Sequence, residues 1–140
     1  MNVLLSIKPK YVAKIVEGEK KYEFRKRIFT RKDIEQIYIY STSSVRKIIG
    51  MITIKKILEG SPAEIWEKCS FYSGMTKEEY FCYFKDKEMA FAIEIKDVKV
   101  FPEPVDPYMI FEKFIPPQSF YYIKDFPFQE KKDNYLSLVK

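Results

Sequence analysis

Residues 89–100 constrain the fold more than any other stretch. Met89, Phe91, Ile93 and Ile95 fall on one face, with Ala90, Ala92, Glu94 and Lys96 opposite. A side-chain period of two is the pattern of a β-strand and cannot be laid on a helix. Such a strand needs partners, and the chain offers several. Residues 3–7 read as a short apolar strand. Residues 21–25 alternate Tyr22 and Phe24 against Lys21, Glu23 and Arg25, and residues 36–40 alternate Ile37 and Ile39 against Tyr38 and Tyr40. Residues 48–58 form a long strand in which Gly50 marks a bulge or bend. A last short strand is expected at residues 120–123.

Helical signals lie between these strands. Pro9 stands at a first helical position, followed by a stripe of Tyr11, Val12, Ile15 and Val16 and a stop at Gly18. Ser61 and Pro62 give an N-cap and first turn for a helix carrying Ile65 and Trp66. Thr76-Lys77-Glu78-Glu79 is a capping box ahead of Tyr80, Phe81, Tyr83 and Phe84. Pro102, Pro104 and Pro107 are expected to break the chain after residue 100. Strands and helices do not alternate regularly, which disfavours a parallel α/β sheet. The expectation is an α+β protein: one small mixed β-barrel of about five to six strands, with helices at its mouths. The chain's 140 residues suit one domain, and its 12 Phe and 11 Tyr supply bulk for the core. Residues 127–140 read as a charged tail.

Composition removes whole classes of chemistry. There is no histidine, so Ser-His-Asp and Cys-His machinery is excluded and the commonest metal ligand is missing. Cys69 and Cys82 have neither zinc-site nor disulfide-framework spacing. No metal or organic cofactor is implied, and a reduced cytoplasmic compartment fits. No apolar run reaches a membrane span, and the N-terminus lacks the basic lead of a signal peptide. Twenty-five basic against 20 acidic side chains give a net charge of +5, which tilts the choice of partner towards polyanions.

The densest polar cluster runs from Gly18 to Arg27. Glu23 and Arg25, two residues apart on a strand, share a face. Either that face is a solvated edge or both side chains line one cleft. Arginine offers forked donors to phosphate, and glutamate accepts from an amino group or acts as a base. Lys20 can hold phosphate, or act as a base if burial lowers its pKa. Lys8 points either to solvent or to the same mouth. The polar turn with Ser41, Thr42 and Ser44 is an ordinary hydroxyl turn or an anion nest. Gln118 and Ser119, after a rigid Pro-Pro pair, turn the chain or face a base. Tyr38 and Tyr40 stack on bases or fill the core.

Gly18-x-Lys20-x-x-Glu23-x-Arg25 resembles the G-x-K-x-x-E-x-R signature of the ASCH domain, a member of the PUA-like superfamily. Leu4-Leu5-Ser6-Ile7-Lys8-Pro9, Tyr38-Ile39-Tyr40-Ser41-Thr42-Ser43, Ile48-Ile49-Gly50 and Ile115-Pro116-Pro117-Gln118-Ser119-Phe120 resemble small bacterial and archaeal members in the same order. The resemblance implies an ASCH domain over residues 1–126, a PUA-like barrel with a cleft beside the signature strand. It also implies an RNA or nucleotide-like ligand in RNA metabolism or transcription-linked regulation. Lys8, Gly18, Lys20, Glu23, Arg25, Ser41, Thr42, Ser44, Gln118 and Ser119 are the expected ligand-binding set. The resemblance leaves open an enzyme acting on RNA or a modified nucleoside with Lys20 and Glu23 as its acid/base pair, and a protein-interaction module in transcription. Some ASCH amidohydrolases deacetylate N4-acetylcytidine with a threonine nucleophile. This chain carries Glu23 at that position, and a carboxylate cannot replace the hydroxyl.

Overall fold

A computed structural model describes residues 1–111 and 113–124; the expected tail at residues 127–140 lies outside them. In chain order the elements are β1 (Asn2–Ile7), α1 (Pro9–Glu17), β2 (Tyr22–Arg25), β3 (Gln36–Ser41), β4 (Lys47–Gly60) and α2 (Pro62–Cys69). A short 3-10 turn (Ser70–Tyr72) leads to α3 (Lys77–Tyr83), β5 (Ala90–Val105), α4 (Pro107–Ile110) and β6 (Phe120–Ile123). The six strands form one sheet in the order β2-β5-β4-β3-β1-β6. Among the described residues only the β1–β3 pairing is parallel. The sheet curls into a half-barrel, the expected PUA-like α+β architecture.

Local signals produce the local structure. Ser61 and Thr76 each accept from the backbone N–H three residues on, and Glu64 and Glu79 accept the reciprocal bonds. Pro9 opens α1, but its buried stripe is only Val12 and Ile15, and Val16 is exposed. The register of β4 against β5 shifts around Gly50, the expected bulge. The prolines do not end β5, which continues to Val105. Between Gly50↔Val100 and Ile48↔Val105 the ladder skips, so Pro102 and Pro104 occupy a bulge where no ladder N–H is required.

Burial is two-sided. Ile37 and Ile39 pack with Val3, Leu5, Ile7 and Ile15 in one core. From the other face of β3, Tyr38 and Tyr40 enter a second core with Leu4, Met51, Phe101 and Phe114. Tyr38 is 0% exposed and Tyr40 2%, so neither can stack on a base. Ala90 and Ala92 lie in a third core, with Phe24, Ile65, Cys69, Tyr80 and Phe84. Their small side chains suit the close approach of α2 to β5. No helix among the described residues is long and apolar enough to cross a membrane.

Candidate functional site

The site begins where α1 stops. Gly18 takes a left-handed conformation, φ 85°, and its N–H donates to Ile15 O. That sharp exit, which a Cβ would disfavour, turns the chain inward so that Lys20 is delivered into the interior. β2 follows as an edge strand paired with β5. Glu23 and Arg25 therefore project from one face, but into protein and not into solvent. Lys20, Glu23 and Arg25 are 2%, 6% and 8% exposed.

The three charges form one network. Glu23 Oε2 accepts from Arg25 Nη1 at 3.0 Å, and Glu23 Oε1 lies 4.0 Å from Lys20 Nζ. Lys20 Nζ donates to Ser73 O at 2.7 Å and lies over the rings of Phe24 and Tyr11, 4.6 and 5.2 Å from their centres. Arg25 reaches across to the other strands, donating to Ser6 O at 3.2 Å and to Ser119 Oγ at 2.7 Å. Its buried Nε–H has no hydrogen-bond partner among the described residues. Burial pushes the Lys20 ammonium down to about 8, with Glu23 opposing the shift.

These groups wall an open cleft of about 560 Å³, within the size range of small-ligand sites. Its lining carries four cations, Lys8, Lys10, Lys20 and Arg25, against two carboxylates, Glu23 and Glu79. Glu79 ties the far wall together. Its Oε2 accepts from Tyr11 Oη at 3.1 Å and pairs with Lys10, while Oε1 caps α3. The bonds from Lys10 and the Thr76 backbone hold its carboxyl at about 2. Burial, with Glu79 beside it, pushes the Tyr11 hydroxyl up to about 12.

The expected residues divide into three groups. Lys8, Lys20, Glu23, Arg25, Thr42 and Gln118 line the cleft. Gly18 and Ser119 shape it from behind, one by turning the chain and the other by holding Arg25. Ser41, 1% exposed, and Ser44, exposed, are not among the lining residues. Three amides of the turn are already engaged within the fold. Thr42 N–H donates to Ile7 O, and the N–H groups of Val45 and Arg46 both donate to Thr42 O. Sequence reasoning missed Tyr11, Ser73 and Glu79 as members of the site. Tyr11 reads as part of a core stripe and Glu79 as a capping residue. Ser73 contributes a carbonyl, which leaves no mark in a sequence. Among the described residues no cluster of His, Cys, Asp or Glu could hold a metal ion.

The family model of the ASCH domain matches residues 5–99. This chain belongs to the ASCH domain family. It is similar to an ASCH domain-containing ribonuclease of Zymomonas mobilis, 28% identical over 88% of this chain and 84% of that one. It is also 27% identical over 75% of its length to the large ribosomal subunit protein uL22 of Ureaplasma parvum, spanning 34% of that protein. Crystal structures of the Zymomonas mobilis ASCH protein superpose closely. The protein itself gives a TM-score of 0.83 at 27% identity, covering 99% of this chain and 96% of that one. A variant with one tyrosine-to-phenylalanine change gives 0.85 at 26% identity, covering 94% and 96%.

Proposed function

We propose that this ASCH protein binds RNA, seating one nucleotide unit in the cleft at Lys20, Glu23 and Arg25. One observation carries the reading: two buried cations share a single carboxylate in the wall of an open cleft. Their excess positive charge favours an anionic ligand, and a phosphodiester supplies one. Glu23 accepts from a base amino group or a ribose hydroxyl, and Lys8, Thr42 and Gln118 form the rim. The ribonuclease name of the Zymomonas mobilis relative supports RNA as the polyanion; the proposed role is cytoplasmic, in RNA metabolism or transcription-linked regulation.

A second reading, that the protein also cuts RNA, is favoured by the Lys20 ammonium lying near 8. Its neutral fraction would take the proton of a 2′-hydroxyl as that oxygen attacks the adjacent phosphorus, and the ammonium so formed would pass the proton to the leaving 5′-oxygen, giving a 2′,3′-cyclic phosphate and a free 5′-hydroxyl.

One experiment tests both readings: fluorescence anisotropy of labelled single-stranded RNA, duplex RNA and DNA across a salt series, with the RNA recovered on a gel. Non-specific phosphate binding falls steeply with salt. Arg25→Ala, checked for folding by circular dichroism, is expected to weaken RNA binding by about 1–3 kcal/mol. Unchanged affinity would sink the cleft as the binding site. RNA recovered intact supports binding alone, and RNA recovered as fragments that disappear with Lys20→Met supports cutting.

A further inference from the structure

A second cavity, of about 440 Å³, opens behind the cleft and is lined by Lys14, Glu19, Phe71, Tyr72, Gly74 and their neighbours. Met75 lines both cavities. The partition between them is thin. Gly74, at φ +67°, packs so closely on Lys20 that a Cβ there would stand 2.7 Å from Lys20 Cβ.

The turn that carries Gly74 and lines this cavity is fixed to α1 and to the signature segment. Tyr72 O accepts from Lys21 N at 2.8 Å, Ser73 O from Lys20 Nζ at 2.7 Å, and Gly74 O from Lys14 Nζ at 3.1 Å. On this anchored turn Phe71 is 86% exposed, the most exposed large hydrophobic side chain among the described residues. Folding does not explain an aromatic ring left in water on a rigid support. Its underside rests edge-on against Tyr72, centres 4.8 Å apart, and Lys21 Nζ lies 4.2 Å over Tyr72. Lys21 thus sits on the ring pair and Lys14 lines the same cavity, with Glu19 as the one carboxylate lining it. Aromatic faces set among lysines are how proteins hold unpaired bases, with cations tracking the backbone.

We propose that Phe71 is a stacking platform for the nucleotide next to the one in the cleft, and that the ligand is single-stranded RNA running over the Lys20–Gly74 partition. The inference rests on the cleft reading above and adds strandedness and length. A duplex keeps its bases stacked on each other and cannot offer one to Phe71.

The test uses adenosine 5′-monophosphate, followed by chemical-shift titration, beside labelled oligoadenylate and its duplex with oligouridylate, followed by anisotropy. Phe71→Ala is expected to weaken oligoadenylate by about 5- to 150-fold while leaving the mononucleotide unchanged, and Phe71→Trp to restore binding, its fluorescence quenched by the oligomer alone. Oligoadenylate affinity unchanged in Phe71→Ala, but lost in Arg25→Ala, overturns the platform and keeps the cleft. Equal weakening of mononucleotide and oligomer by Phe71→Ala overturns it too, since the ring would then act through the fold. No binding of any probe by the wild-type protein overturns both.

Discussion

Two Arg–carboxylate pairs in this molecule have nearly the same local design and opposite importance. Arg25 and Glu23 stand two residues apart and meet at 3.0 Å. Arg31 and Asp33 also stand two residues apart and meet in a better, two-pronged geometry at 2.7 and 2.8 Å. The first pair is nearly sealed from solvent, whereas the side chains of the second are 44% and 57% exposed. Water screens the outer pair whatever its geometry. Inside, the same charges have few other partners, so each carries large consequences. Environment, not distance, separates a structural ornament from a candidate site.

Glu23→Ala presses hardest on that contrast. It strands two buried cations and is expected to destabilise the fold by about 3–5 kcal/mol in urea unfolding. A cost as small as that of a surface pair, about 1 kcal/mol or less, would mean that the network is wetter than its burial indicates.

The next effect is one of pH. The folded pKa of Lys20, about 8, lies below its ordinary 10.5. Between those values the unfolded chain holds a proton that the folded chain has released, so the Lys20 contribution to stability rises with pH across that window. The cost of burying the charge is fully present below about pH 8, and its relief amounts to about 3 kcal/mol. In urea unfolding near neutrality and near pH 10 the wild type should gain stability relative to Lys20→Met, because both share the opposite trend of Cys69 and the buried tyrosines, whose raised pKa values cost stability as pH climbs. Parallel behaviour would place the ammonium in solvent.

The smallest effect belongs to the outer pair. Arg31→Ala and Asp33→Ala should leave the urea midpoint where it is, and a clear shift in either would undo the distinction between the two regions.

How far the sequence reveals all this depends on the range of each interaction. The caps at Ser61 and Thr76 were legible because donor and acceptor lie three residues apart. The strand alternation in residues 89–100 and the signature from Gly18 to Arg25 were legible for the same reason. The burial of Tyr38 and Tyr40 was not. It depends on β3 lying between β1 and β4, with a core on each face, and alternation cannot say which face is covered. The run of β5 through Pro102 and Pro104 was hidden too, because the tolerance lies in the skipped register with β4. In the site, the residue types were readable but their partners were not. Lys20 meets a carbonyl 53 residues away, and Arg25 a hydroxyl 94 residues away.

That last bond bears on how the molecule comes into being. Arg25 is held between Ser6 and Ser119, and Ser6 N–H in turn donates to Ser119 O beside the β1–β6 pairing. On a ribosome the guanidinium emerges early, and the hydroxyl that completes its setting emerges almost a hundred residues later. A nascent chain can build the helices and the inner strands first, yet a fragment stopped short of β6 carries the whole signature without its finished geometry. The cleft therefore cannot be finished before Ser119 has been made.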